Sequence, residues 1–253
     1  TIEKCLERGE RLYITTDSKS GTFSSYGLEK EIREKFPTLK VICVNATTSQ
    51  DSNHPAHNFV ERINSVITQY DVVICSPSIG SGVSIDVKGH FHKVFGIFNG
   101  VIPDWEARQG LARVRDPIER HIWCATLGMG WVRKTIRSTN YKDIVKIVME
   151  RTEHTAVLAE LIAPNADVEA ILEGNINPAH LKCWARMAAE VNYSMRHYRQ
   201  LMYYGLQSEG FDIETISDEE IYRERDQISS DLQALSNVSN LNEEQKINFK
   251  QLD

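Results

Sequence analysis

The chain has 253 residues, 41% hydrophobic and 25% charged, with glycine (14) and proline (7) near or below average usage. That length and composition bury a sizeable core and exclude a disordered or collagenous chain, and no apolar run approaches the roughly 18 residues of a membrane-spanning helix. The net charge of -6 is uneven: residues 205–253 hold 12 Asp/Glu against 4 Lys/Arg, whereas residues 108–151 hold 10 Lys/Arg against 4 Asp/Glu. A basic stripe inside an acidic chain fits either phosphate contact or a solvated helix face.

The opening Thr1-Ile2-Glu3-Lys4 has neither an initiator Met nor a charged-then-apolar leader, and it reads as a cut from a longer polypeptide. Arg11–Thr16 reads as a strand and Ser24–Lys35 as a helix, followed by a strand at Lys40–Val44 and a polar loop at Asn45–His54. A helix is predicted over His57–Thr68, where Phe59, Ile63 and Val66/Ile67 recur at helical spacing. Asp71–Ser76 is a strand apolar on both faces, as in a covered parallel sheet. Val94–Phe98, a helix at Asp104–Arg115 and a strand at His121–Ala125 complete the alternation. Strands alternating with helices at this interval predict an open α/β parallel sheet with helices on both faces.

From about Tyr141 the pattern is helical throughout. Asn177-Pro178 fits a cap and first-turn pair for a long helix through Tyr204, whose Trp184, Met187, Val191, Met195, Tyr198 and Leu201 form a stripe expected to pack in a core. Ser217-Asp218-Glu219-Glu220 resembles a capping box, and a last helix begins at Asn242 and runs out at Asp253, as though cut. The expected organisation is an α/β domain over residues 1–139 and a helical extension with an acidic end over 140–253.

In open parallel sheets ligands bind beyond the carboxyl ends of the strands. After the first strand stand Thr15, Thr16, Asp17 and Ser18; after the third, Ser76-Pro77-Ser78-Ile79-Gly80-Ser81-Gly82-Val83-Ser84-Ile85-Asp86. Two glycines there allow close backbone approach, so the segment fits a phosphate-binding concavity or an ordinary Gly-Ser turn. Gln109-Gly110-Leu111-Ala112-Arg113-Val114-Arg115 ends a predicted helix near Asp116-Pro117, where Arg113 and Arg115 can both reach the sheet edge. His54, His57, His90 and His92 lack the acid or Cys pattern of a metal site and read as polar surface residues. The five cysteines are odd in number, widely spaced and free of CxxC, so they read as small buried hydrophobes of a reducing, cytoplasmic compartment, Cys75 included.

Three ordered segments carry a resemblance. Leu12-Tyr13-Ile14-Thr15-Thr16 is similar to motif IV, DVVICSPSIGSGVSID (71–86) to motif V with its strand, and QGLARVR (109–115) to motif VI of the second RecA-like domain of superfamily-2 helicases, of the herpesvirus origin-binding and cyanobacterial plasmid replication type. The common motif VI pattern is Q-x-x-G-R-x-x-R; here Ala112 stands for the Gly, and the second Arg comes one position early. The resemblance implies the motor half of an ATP-dependent DNA helicase or replication initiator, facing a missing N-terminal RecA-like domain across ATP and Mg²⁺. It implies nucleotide roles for Gln109, Arg113 and Arg115, with Arg113 keeping the family's spacing from Gln109. Gly82, Ser84 and Asp86 fall to nucleotide sensing, and Thr15, Thr16, Ser76, Ser78 and Ser81 to the single-stranded DNA backbone. No Walker A GxxxxGK[ST] and no DExH box are present, so this chain alone is expected to hold neither ATP nor Mg²⁺ and to have no ATPase activity. The alternative is a non-catalytic nucleic-acid-binding or protein-docking module on a helicase-derived fold.

Overall fold

The computed structural model describes residues 1–77, 83–133, 136–162 and 178–215. Its centre is a five-stranded, all-parallel sheet in the order β2-β3-β1-β4-β5, built from β1 (Leu12–Thr16), β2 (Val41–Val44), β3 (Val72–Cys75), β4 (Lys93–Phe98) and β5 (Glu119–Cys124). This is the open parallel α/β arrangement expected from the alternation, and it is consistent with the RecA-like fold that the resemblance implies. β1 pairs with β3 (Leu12 opposite Val72) and with β4 (Leu12 opposite Lys93), so the strand that carries Thr15 is central. All five residues of β1 are buried, as a strand covered on both faces requires.

One face is closed by α1 (Ile2–Glu7) and α2 (Ser25–Lys35), whose Cys5, Leu6, Leu28 and Ile32 pack with Leu12, Ile14, Val41, Val72 and Ile74. α2 starts one residue inside the predicted boundary because Ser24 is its cap, its hydroxyl accepting from Gly27 N at 3.1 Å. The predicted polar loop after β2 contains a short helix, α3 (Ala46–Gln50), held by a reciprocal cap between Asn45 and Thr48. α4 (Phe59–Val66) buries Phe59 and Ile63, as their spacing requires.

The opposite face receives α5 (Asp104–Leu111), which packs on β1 and β4. Its approach depends on small residues: a Cβ on Gly110 would lie 2.9 Å from Thr15 Oγ1, and one on Gly96 would lie 2.7 Å from the Leu111 side chain. α5 stops at Leu111, not at Arg115 as predicted, because residues 113–115 leave the helix to pair with residue 85.

Beyond α6 (Met129–Arg133), α7 (Tyr141–Ile162) packs against α8 (Pro178–Arg196) around Ile144, Ala185 and Ala189. The long helix predicted through Tyr204 breaks at His197 into α8 and α9 (Tyr198–Ser208). The expected core stripe is split accordingly. Met195 and Tyr198 are buried, but Trp184 (52% exposed) and Met187 (62%) face outward, because the first half of α8 turns Ala185 and Ala189 toward α7. Contacts group residues 1–211 into one compact unit and 212–253 into another. The segments at Ser217–Glu220 and from Asn242 lie outside the described residues.

Candidate functional site

The connection after β1 leads toward β2, whereas β4, its neighbour on the other side, leads toward β5. Adjacent strands whose connections diverge open a crevice at their carboxyl ends. Asp17 holds that crevice together: its buried carboxylate accepts from Asn99 N at 2.9 Å and Val101 N at 2.8 Å. Burial raises its pKa, and the backbone donors from the β4 side oppose that shift.

A cavity of about 380 Å³ lies in the crevice, with Thr15, Pro77, Phe98, Trp105, Gln109 and Arg113 among its lining. They come from four stretches of sequence. Thr15 ends β1, Pro77 follows β3, Phe98 ends β4, and Trp105 and Gln109 stand four residues apart on α5, on one side of the helix. Arg113 is half-buried and lies within electrostatic reach of the Tyr13 phenol and the Cys75 thiol, two fully buried groups beneath the cavity.

The two arginines of the 109–115 segment part company. Ile85 N donates to Arg113 O (2.8 Å) and Arg115 N to Ile85 O (3.0 Å), a parallel bridge that buries Val114 and joins the end of the Gly-Ser segment to the end of α5. Arg113 lines the cavity, whereas exposed Arg115 donates from Nε to Ser84 Oγ at 3.1 Å. Ser84 Oγ in turn donates to Asp86 Oδ1 at 2.7 Å, and Asn64 braces both residues by donating to Ser84 O and accepting from Asp86 N. Arg115, Ser84 and Asp86 thus form one surface network, distinct from the group of Thr15, Gln109 and Arg113.

Other expected contacts are turned inward. Thr16 is fully buried, its hydroxyl donating to Phe23 O at 3.1 Å, and Ser76 is buried with its N–H on Val44 O at 3.0 Å. Ser78, Ser81 and Gly82 lie outside the described residues.

Two sets of positioning residues had no clear signal in the sequence. Arg120, in β5, donates to Val114 O (2.8 Å) and Ile118 O (2.7 Å) beneath the Phe211 ring, and so fixes the turn that follows Arg113. Burial lowers its pKa. On α5, Asp104 accepts from Ser194 Oγ at 2.6 Å and from Arg108 Nη2 at 3.1 Å, while Arg108 also pairs with Glu209. Gly205 of α9 sits directly on the Arg108 guanidinium; a Cβ there would come within 2.4 Å of Nε. An Asp and an Arg one helical turn apart could be noticed in the sequence, but not that Ser194 and Glu209 would meet them.

The histidines are held by backbone: His90 Nε2 donates to Tyr70 O (3.0 Å), His92 Nδ1 accepts from Arg11 N (2.9 Å), and His54 Nδ1 accepts from Ala56 N (3.0 Å). Burial pushes the Cys75 thiol up to about 11 and Cys43 to about 12, which leaves both protonated and poor nucleophiles at neutral pH. Cys183 is the exception to the buried reading, being exposed on α8.

No family model matches the chain. It is similar to an uncharacterized protein of Picosynechococcus sp., 30% identical over 212 residues that cover 83% of this chain and 21% of that protein. It is also similar to the uncharacterized protein ORF115 of Ostreid herpesvirus 1, 39% identical over 74 residues, 26% of this chain and 29% of that protein. The chain therefore spans about a fifth and under a third of these two relatives.

Proposed function

We propose that this chain is the second RecA-like half of an ATP-dependent DNA motor, a helicase or replication initiator, working opposite another RecA-like domain. The observation that carries the reading is convergence. Thr15, Gln109 and Arg113, drawn from segments similar to motifs IV and VI, line one cavity at the divergent carboxyl ends of a RecA-like sheet. The segment similar to motif V is joined to motif VI by the bridge between Ile85 and Val114.

The donor set fits the edge of a nucleotide site. A permanently charged guanidinium and a side-chain amide suit an anionic phosphate oxygen, and a cavity of about 380 Å³ is at the small end for enclosing a whole ligand. ATP with Mg²⁺, held mainly by the other domain, supplies the phosphoryl group; this sequence contains no Walker A lysine for it. Arg113 is the residue assigned to stabilise charge on that group, with Gln109 orienting beside it. Arg115 is assigned to hold Ser84 and Asp86, so that motif V and motif VI move as one piece. Ser78, Ser81 and Gly82 are assigned to the single-strand backbone and the nucleotide as the family pattern has them. Thr16 and Ser76 shape the loops from within.

The test is ATP turnover, stimulated by single-stranded DNA, by the gene's whole product. Arg113→Ala is expected to cut turnover about 10³-fold or more, the scale of an arginine finger, with the fold intact. Arg115→Ala is expected to cost less. Unchanged turnover in Arg113→Ala, or a whole product without a Walker A sequence, would overturn the reading in favour of a non-catalytic module.

A further inference from the structure

A second cavity, about 770 Å³, adjoins the first at Trp105, which lines both. Its walls are Trp105 of α5, Tyr141 at the start of α7, and Arg186, Glu190 and Tyr193 of α8. The three α8 residues are spaced four and three apart, which puts them along one side of the helix. Tyr193 is 51% exposed, and among the described residues His197 is its one ring neighbour, tilted at 4.8 Å.

We infer that this groove takes unpaired bases of a single DNA strand, stacked against Tyr193 and Trp105, as the strand passes beyond the sheet edge. The inference rests on the motor reading above and adds to it a strand site outside motifs IV to VI. Three features choose this occupant. The walls include the aromatic rings of Trp105, Tyr141 and Tyr193, of the kind base stacking uses, and stacking tolerates any sequence. The rim carries hydrogen-bonding groups at Asn140 and Glu190 that suit the polar edge of a base better than a lipid chain. Cations that can meet a phosphate backbone stand on α8 beside the Glu190 carboxylate. Lys182 and Arg186 stand one turn apart, both exposed, and Arg186 lies over the Tyr141 ring at 5.1 Å. The buried carboxylate of Asp104, which also lines the groove, pairs with Arg108, a cation it shares with Glu209. A duplex would not serve, since its bases are stacked on one another.

The test uses this chain and two fluorescent 15-mers, oligo-dT and an abasic strand of equal length, titrated by anisotropy at low salt. Wild type is expected to bind oligo-dT at least fivefold tighter than the abasic strand. Tyr193→Ala should weaken oligo-dT by roughly 5-fold to 100-fold while leaving the abasic strand unchanged, the effect of deleting one stacking platform. Tyr193→Phe should restore binding, and Arg186→Ala should weaken both strands alike, as loss of a phosphate contact does. Equal affinity of wild type for the two strands would overturn the stacking inference, as would an oligo-dT affinity unmoved by Tyr193→Ala. Either result leaves the motor reading standing. Failure of wild type to bind either strand would overturn both.

Discussion

The two ends of the parallel sheet use the same kinds of polar side chain in opposite ways. At the amino ends of β1, β3 and β4 several polar groups are consumed by backbone, while Lys93 and Glu119 pair with each other. Asp71 accepts from Lys40 N at 2.8 Å, Arg11 donates to His90 O at 2.7 Å, His90 donates to Tyr70 O, and His92 accepts from Arg11 N. At the carboxyl ends Thr15, Gln109 and Arg113 border a cavity instead, while Asp17, Arg120 and the pair Asp104 and Arg108 hold the surrounding backbone in place. A polar group whose partners are all main chain is there for the fold. Groups gathered at a cavity, with saturated neighbours behind them, stand where a ligand can reach them.

The comparison breaks most visibly where the carboxyl end is itself structural. Gly100, in the loop that Asp17 holds, has φ +73°, and a Cβ on it would sit 2.2 Å from Gly128 Cα, a backbone atom that cannot swing aside. Gly100→Ala is expected to cost about 3 kcal/mol or more, combining left-handed strain with a main-chain clash. Urea unfolding of the variant measures it; a loss under about 1 kcal/mol would mean that this loop shifts freely, and the cavity rim with it.

Next in size is the grip of the extension on α5. Arg108→Met keeps the aliphatic stem but leaves the Asp104 carboxylate, whose side chain is 5% exposed, with Ser194 and without its cation. The expected loss is about 2 kcal/mol, below the roughly 3–5 kcal/mol of a fully buried pair because Arg108 keeps some contact with water. Denaturant titration would show it as a lower midpoint. An unchanged midpoint would mean that α5 is held by the sheet alone, through Leu111 and the close approach at Gly110.

How much of this could be read in the sequence follows the same division. All five strands, the helix capped by Ser24 and the apolar face of α4 come from local signals of period and capping, and the structure has them within one or two residues. The spacing of a motif singles out Gln109 and Arg113, and both line the cavity. The grip of Ser194 and Glu209 on α5 was not legible, because those residues lie some 90 and 100 positions from their partners and are polar, so no periodicity marks them. The helix end at Leu111 was misplaced for a related reason. Ala112, Arg113 and Arg115 are good helix formers, and it is the distant Ile85 and Arg120 that draw the segment into a bridge and turn. Trp184 and Met187 were read as core because a stripe on one helix does not reveal which neighbour that helix has.

The smallest expected effect is at the amino ends, where it isolates a single histidine. His90 is 8% exposed, and its Nε2 must carry a proton to donate to Tyr70 O, so the neutral ring already satisfies that contact. A second proton on Nδ1 would charge a buried ring within reach of Arg11 and His92, which disfavour it, and of Asp71, which favours it. Burial is the main cause of its lowered pKa, the Tyr70 carbonyl opposing it. Because the folded state holds that proton less tightly than the unfolded chain, whose value is near 6.5, the contribution of His90 to stability is complete above about pH 6.5. It is lost as the pH falls through the lower, folded value. Unfolding free energy measured between pH 7.5 and 5.5 should therefore decline on acidification, with a slope from this group below about 1.4 kcal/mol per pH unit, the limit for one proton. His90→Gln keeps an N–H for Tyr70 but cannot titrate, so it should remove that part of the slope while changing stability at pH 7.5 by about 1 kcal/mol or less. A slope identical in wild type and His90→Gln would place the acid sensitivity elsewhere and remove His90 from the saturated set that distinguishes this end of the sheet.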